Sequence, residues 1–145
     1  MDYRQNAAPL ERDRSILVVG LNGRVFGLDR ASGVPRWSNV LEYSSGEVTV
    51  AIDYGVVVAS GSYPAIYCID YLTGVTRWRK STKDAGRATI LIEPDQILCM
   101  KNGFVDCFAP DGRLLWHQPL DGQGLGRGAL GYPGNVAQAD DPGTR

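Results

Sequence analysis

The stretch from Gly27 to Trp37, GLDRASGVPRW, returns as CIDYLTGVTRW from Cys68 to Trp78 and, one residue shorter, as CFAPDGRLLW from Cys107 to Trp116. Asp29 and Asp70, Gly33 and Gly74, and Trp37 and Trp78 are each 41 residues apart, while Gly74 to Gly112 and Trp78 to Trp116 are both 38. A register shared by several residue types at a period near 40 marks stacked structural units rather than a catalytic constellation. Around each copy the apolar runs are short, rich in β-branched and aromatic residues and bounded by turn residues, which reads as strands. Unit two predicts strands at 48–52, 56–59, 66–69 and 75–79, and unit three at 89–92, 97–100, 104–108 and 114–116. Unit one supplies only three, at 16–19, 25–28 and 35–40.

Asn22-Gly23 and Asn102-Gly103 fall between the second and third strands of units one and three. A two-residue hairpin there needs positive φ at both positions, which Asn-Gly supplies. That turn sets Cys99 opposite Asp106 and Cys107 opposite Leu98, so the two cysteines point to opposite sides of the sheet and cannot bond to each other. Runs such as ILVVG and GVVVA are apolar without alternation, which predicts sheets buried on both faces and therefore stacked on one another. Four antiparallel strands in about 40 residues, covered on both sides, describe a propeller blade. The expected class is all-β, with about three four-stranded blades at 15–46, 47–86 and 87–120, the first incomplete, between an N-terminal arm (1–14) and a Gly/Pro-rich tail (121–145).

The repeated residues have architectural uses. Asp29 and Asp70 end a third strand, where a carboxylate accepts N–H bonds from the turn ahead, and Ser32 and Thr73 add hydroxyls. Gly33, Gly74 and Gly112 take the φ > 0 position of that turn. Trp37, Trp78 and Trp116 then lie on the outer strand, where each can pack on the neighbouring blade; burying ~150 to 250 Å² stabilises by roughly 4 to 6 kcal/mol as an upper bound.

This combination resembles the tryptophan-docking motif of the pyrroloquinoline quinone (PQQ)-type β-propellers, approximately Ala-x-Asp-x-x-(Thr/Ser)-Gly-x-x-x-Trp. Unit one matches with Gly27 in place of Ala, unit two with Cys68 in place of Ala, and unit three keeps Cys107, Gly112 and Trp116 with Ala109 where Asp is expected. The resemblance covers residues 15–120 and implies Asp29, Gly33, Trp37, Asp70, Gly74, Trp78, Gly112 and Trp116 as blade-docking residues. The family includes quinone-dependent dehydrogenases and many non-enzymatic scaffolds. The dehydrogenases close a full ring around the quinone and use a catalytic Asp with calcium and usually a vicinal cysteine pair, so the implied placement of this chain is the non-enzymatic branch, with no cofactor, no metal and no catalytic residue.

Other candidate chemistry is thin. The net charge is -1, with Lys and Arg scattered, which leaves no footprint for nucleic acid. No apolar run is long enough to span a bilayer and the opening residues carry six charges in fourteen, so the expectation is a cytoplasmic protein without membrane insertion. The lone His117 follows Trp116 at a strand end and reads as a solvated side chain; a Ser-His-Asp triad lacks its nucleophile-elbow context. Gly126, Gly128 and Gly131 match a dinucleotide fingerprint, but Tyr132-Pro133-Gly134 follows at once instead of a helix. Asp140-Asp141 reads as a charged tail end, and Cys68 and Cys107 as small buried hydrophobes with free thiols.

Propellers close with four or more blades, and this chain has three. An open arc leaves two blade faces of roughly 350 Å² each, more in total than a monomer usually exposes. The expectation is therefore a binding or structural subunit whose ends are covered by another polypeptide, first of all a second copy giving a six-bladed ring. The strand missing from unit one would come from residues 1–14, from the tail or from another subunit. Within 121–145, nine of 25 residues are Gly or Pro and no strand period is present, so the tail is expected to be irregular and to serve as a docking arm. A small-molecule or quinone enzyme formed only in the oligomer is the alternative.

Overall fold

The computed structural model describes residues 12–126 and 128–139. Among them the regular elements are all strands, in three antiparallel sheets and one hairpin. Blade 1 is β1 (Ile16–Leu21), β2 (Arg24–Asp29) and β3 (Pro35–Val40); blade 2 is β4 (Thr49–Asp53), β5 (Val56–Ser60), β6 (Ala65–Asp70) and β7 (Thr76–Ser81). Blade 3 is β8 (Ala88–Ile92), β9 (Ile97–Lys101), β10 (Phe104–Phe108) and β11 (Leu114–Gln118). Each sheet is a meander in chain order. Its hairpins turn on Asn22-Gly23, Tyr54-Gly55 and Asn102-Gly103, every one of these residues at positive φ, as a two-residue type I′ turn requires.

A meander of this size cannot bury its own faces, so the core lies in the seams between sheets. One apolar cluster joins blades 1 and 2 through Ile16, Val25, Leu41, Val57 and Tyr67; a second joins blades 2 and 3 through Val58, Ile66, Cys68, Ile90, Cys99 and Phe108. Strands β5 and β8 are buried throughout and β11, the outer strand of blade 3, is exposed throughout. The small residue of each repeat sits directly across from its tryptophan: Gly27 pairs with Trp37, Cys68 with Trp78 and Cys107 with Trp116. A bulge follows each pair at the same place, where the Asp-to-Gly turn feeds the outer strand.

Two expectations are revised. The run ILVVG in β1 is not covered on both faces: Leu17 and Leu21 stand 59% and 61% exposed, because no sheet precedes blade 1 among the described residues. The tail is not irregular throughout. β12 (Leu130–Tyr132) and β13 (Asn135–Ala137) form a hairpin that packs Leu130 and Ala137 onto Leu91, Leu98, Val105 and Cys107 of blade 3. Asn135 Nδ2 donates to the Ile92 carbonyl at 2.9 Å, and the Thr89 hydroxyl donates to the Gly128 carbonyl at 2.6 Å. The hairpin thus takes the place of the two inner strands of a fourth blade and is not the donor of the strand missing from blade 1.

That missing strand leaves β1 as an inner edge. Arg30 N donates to Ser15 O, so in the antiparallel alternation Ile16, Val18 and Gly20 turn their backbone groups away from β2. The Tyr71 hydroxyl of blade 2 serves both groups of Ile16, accepting from its N–H (2.9 Å) and donating to its carbonyl (2.7 Å). Val18 and Gly20 face the position that β4 and β8 fill in the other blades.

Two substitutions test this packing. Trp78→Ala removes an indole that packs at a tilt against Phe108, ring centroids 5.6 Å apart, and is expected to cost about 3 to 5 kcal/mol in urea denaturation. Gly27→Ala restores the residue of the family motif, yet a methyl group there overlaps the Trp37 indole. It is expected to lower stability by about 1 to 3 kcal/mol in the same measurement, with no loss expected if the indole can shift.

Candidate functional site at the blade ends

The turns between the two outer strands of blades 1 and 2 are built the same way. Asp29 N donates to Val34 O and Gly33 N donates to Asp29 O, both at 2.8 Å; Asp70, Val75 and Gly74 repeat both bonds at the same lengths. The Asp29 carboxylate accepts from Ala31 N, Ser32 N and the Ser32 hydroxyl at 3.0 to 3.1 Å. Asp70 accepts from Thr73 N and the Thr73 hydroxyl, and Arg77 closes on its other oxygen at 2.6 Å. Both carboxyls are held below the ordinary value of 3.8, Asp29 chiefly by the Ser32 hydroxyl and Asp70 chiefly by the Arg77 guanidinium. In blade 3 the turn is one residue shorter, Gly112 N donates to Ala109 O at 2.9 Å, and Ala109 brings no carboxylate.

These turns receive the tryptophan of the blade before. Trp37 lies on Gly74 and donates its Nε1–H to Tyr71 O at 3.0 Å; Trp78 lies on Gly112 and donates to Pro110 O at 2.9 Å. A side chain at either glycine would overlap the indole, and the positive φ of both (76° and 95°) independently favours glycine. Two members of the series are left over. Trp116 is 43% exposed, and nothing lies within 4 Å of the place where a Cβ on Gly33 would stand. Among the described residues there is thus one docking indole without a platform and one platform without an indole. Leu17, Leu21, Val34, Val40 and Leu115 are exposed as well.

The remaining candidates separate. His117 is not merely solvated: its Nδ1 bonds the Asp106 carboxylate across the strand pair and its ring stacks on Phe104 at 5.7 Å. Register could have shown this, since Trp116 opposite Cys107 puts His117 opposite Asp106. Cys68, Cys99 and Cys107 are free and buried; burial pushes Cys68 up to about 11 and Cys99 up to about 12. Gly131 lies in β12, so the residues of the dinucleotide match lead into a strand and not a helix. Asp140 and Asp141 lie outside the described residues. The described residues include no group of three metal-ligating side chains and no adjacent cysteine pair, so this donor set does not fit the calcium and quinone that the family resemblance brings to mind.

Comparison with known proteins returns to the same architecture. The family model described as outer membrane protein assembly factor BamB matches residues 21–141. The crystal structure of BamB from Moraxella catarrhalis is similar with a TM-score of 0.69 and 22% identity, over 86% of this chain and 40% of that one. A europium-containing methanol dehydrogenase is similar with a TM-score of 0.63 and 16% identity, over 72% of this chain and 23% of that one. No curated protein matches. The chain spans less than half the length of these solved relatives, and at these identities they speak to fold alone.

The lowered carboxyls make a pH prediction. Unfolded, Asp70 titrates near 3.8 and binds a proton before the folded form does, so its contribution is full above that value and is lost as pH falls through the lower folded value. Stability is expected to decline on acidification below about pH 4. Asp70→Asn should flatten that decline in melting temperature against pH, and an unchanged slope would remove the turn carboxylate from the acid response.

Proposed function

Because the chain belongs to the PQQ-like β-propeller family described as outer membrane protein assembly factor BamB, we propose that it is a non-catalytic binding subunit, joined to a larger assembly through the two ends of its arc. The observation that carries this reading is the leftover pair, Trp116 exposed and Gly33 uncovered. Each leftover is the counterpart of the other. Trp116 of one copy set on Gly33 of a second would find the Arg30 carbonyl where Trp37 finds Tyr71 O and Trp78 finds Pro110 O. The first cover to consider is therefore a second copy of this chain, with blade 3 of one against blade 1 of the other, a contact that twofold symmetry can use twice.

The hairpin β12–β13 bears on how such a joint is made. It covers the inner half of the blade 3 flank and leaves the outer half, with Trp116, for the incoming blade. Residues 128–139 are used within the chain, and the docking role falls to the blade ends instead of the tail.

Sedimentation equilibrium tests the proposal. Wild-type protein is expected to associate at micromolar concentration, and Trp116→Ala or Gly33→Asn to weaken that association by about 30-fold or more, the loss of a central aromatic anchor. Asn is chosen because it tolerates the positive φ of 76° at Gly33 while filling the platform. A compact, stable wild-type monomer that leaves other proteins unbound would falsify the reading, and a rise in melting temperature with quinone and calcium would replace it by an enzymatic one.

A further inference from the structure

The repeat allows one seam to be compared with the next. In the seam between blades 1 and 2, Asn39 of β3 donates to the Gly74 carbonyl and to the Thr76 hydroxyl, both at 2.9 Å. Glu42, in the connector after β3, places its carboxylate 3.4 Å from Arg79 of β7, and Arg79 lies over the Tyr63 and Tyr67 rings at 5.8 and 5.6 Å. That seam therefore has a connector carboxylate in a basic, aromatic setting.

Moved on by 41 residues, Asn39 becomes Lys80 and Glu42 becomes Lys83; moved on by 38, Arg79 becomes His117. The seam between blades 2 and 3 thus keeps the base on the blade but exchanges the connector's carboxylate for an ammonium. An open cleft of about 300 Å³ lies there, lined by Lys80, Ser81, Lys83, Asp106, Leu114 and His117 with Phe108. Lys83 Nζ sits 5.5 Å over the Phe104 ring. Among the described residues neither Lys80 nor Lys83 has a carboxylate partner. The two acids nearby are already engaged: Asp106, 8% exposed, holds His117 Nδ1, and Asp84 accepts from Asn102 Nδ2 at 3.1 Å. With Nδ1 bound, His117 Nε2 has no protein partner among the described residues.

We propose that this cleft binds a carboxylate carried by an acidic segment of a partner protein, which takes the place that Glu42 fills in the preceding seam. Two ammonium groups meet the carboxylate, and Leu114 and Phe108 supply apolar contact beside it. The inference leans on the binding-subunit reading only for the source of the carboxylate. The cleft lies within one copy and does not depend on what covers the ends of the arc.

The test is fluorescence anisotropy of a labelled hexaglutamate peptide with the full chain at low salt, the oligomeric mass being measured on the same samples. Wild-type protein is expected to bind it and to ignore hexaglutamine. Lys83→Glu supplies the carboxylate from the connector, as Glu42 does, and is expected to weaken peptide binding by at least about tenfold with unchanged mass and melting temperature. Arg24→Glu, the same charge change at the exposed first residue of β2, is expected to leave binding within about twofold. Equal loss in both variants, or equal binding by Lys83→Glu and wild type, overturns the site. No hexaglutamate binding overturns it as well, and displacement by free glutarate at the peptide's own concentration overturns the partner protein as its source. A self-association that fails while hexaglutamate still binds would sink the end-to-end reading alone.

Discussion

An indole laid on a glycine turn, with its N–H on the carbonyl beside that turn, is the contact on which the rest of the arc depends. A four-stranded meander has two apolar faces and no means of burying either by itself. Stacking buries them, but apolar contact is non-directional and would let one sheet slide on the next. The bonds from Trp37 to Tyr71 O and from Trp78 to Pro110 O give each seam a register. The requirement works backwards into the sequence: the indole needs a small residue opposite it, hence Gly27, Cys68 and Cys107, and a side-chain-free platform ahead of it, hence Gly74 and Gly112.

The two seams formed on this principle are alike in their inner parts and unlike at the rim. Inside, both are aliphatic clusters between the inner strands of neighbouring sheets. At the rim, polar residues of the connector and outer strand decide whether the seam is closed by the chain's own groups, as Asn39 and Glu42 close the first, or left as a cleft, as beside Lys80 and Lys83. Rim chemistry can vary without disturbing the packing underneath, and it is there that a repeated fold acquires individual surfaces.

Much of this was legible in the sequence because turn chemistry and spacing are local. Asn22-Gly23 and Asn102-Gly103 fixed two hairpins and with them the Cys99–Asp106 register. All eleven blade strands lie where apolar runs bounded by turn residues placed them, to within one or two residues. The exposure of Leu17 and Leu21 was not legible, since an apolar run does not say whether a neighbouring sheet exists. The hairpin at Leu130–Tyr132 and Asn135–Ala137 was missed for a different reason: two three-residue strands around Tyr132-Pro133-Gly134-Asn135 are too short to show a period, and only the flank of blade 3 holds them. At the rim, Lys80 and Lys83 were readable as departures from the repeat, but Glu42 had to be seen beside Arg79 before the departure had a meaning.

The uncovered platform at Gly33 and the exposed indole of Trp116 lie at opposite ends of the arc and are different in kind. An object with unlike ends has a direction, and copies joined by those ends all point the same way around. Whether they then meet their own beginning or run on as a fibre is set by the turn each joint adds, so a small change in the angle at one indole would decide between a finite particle and an endless one.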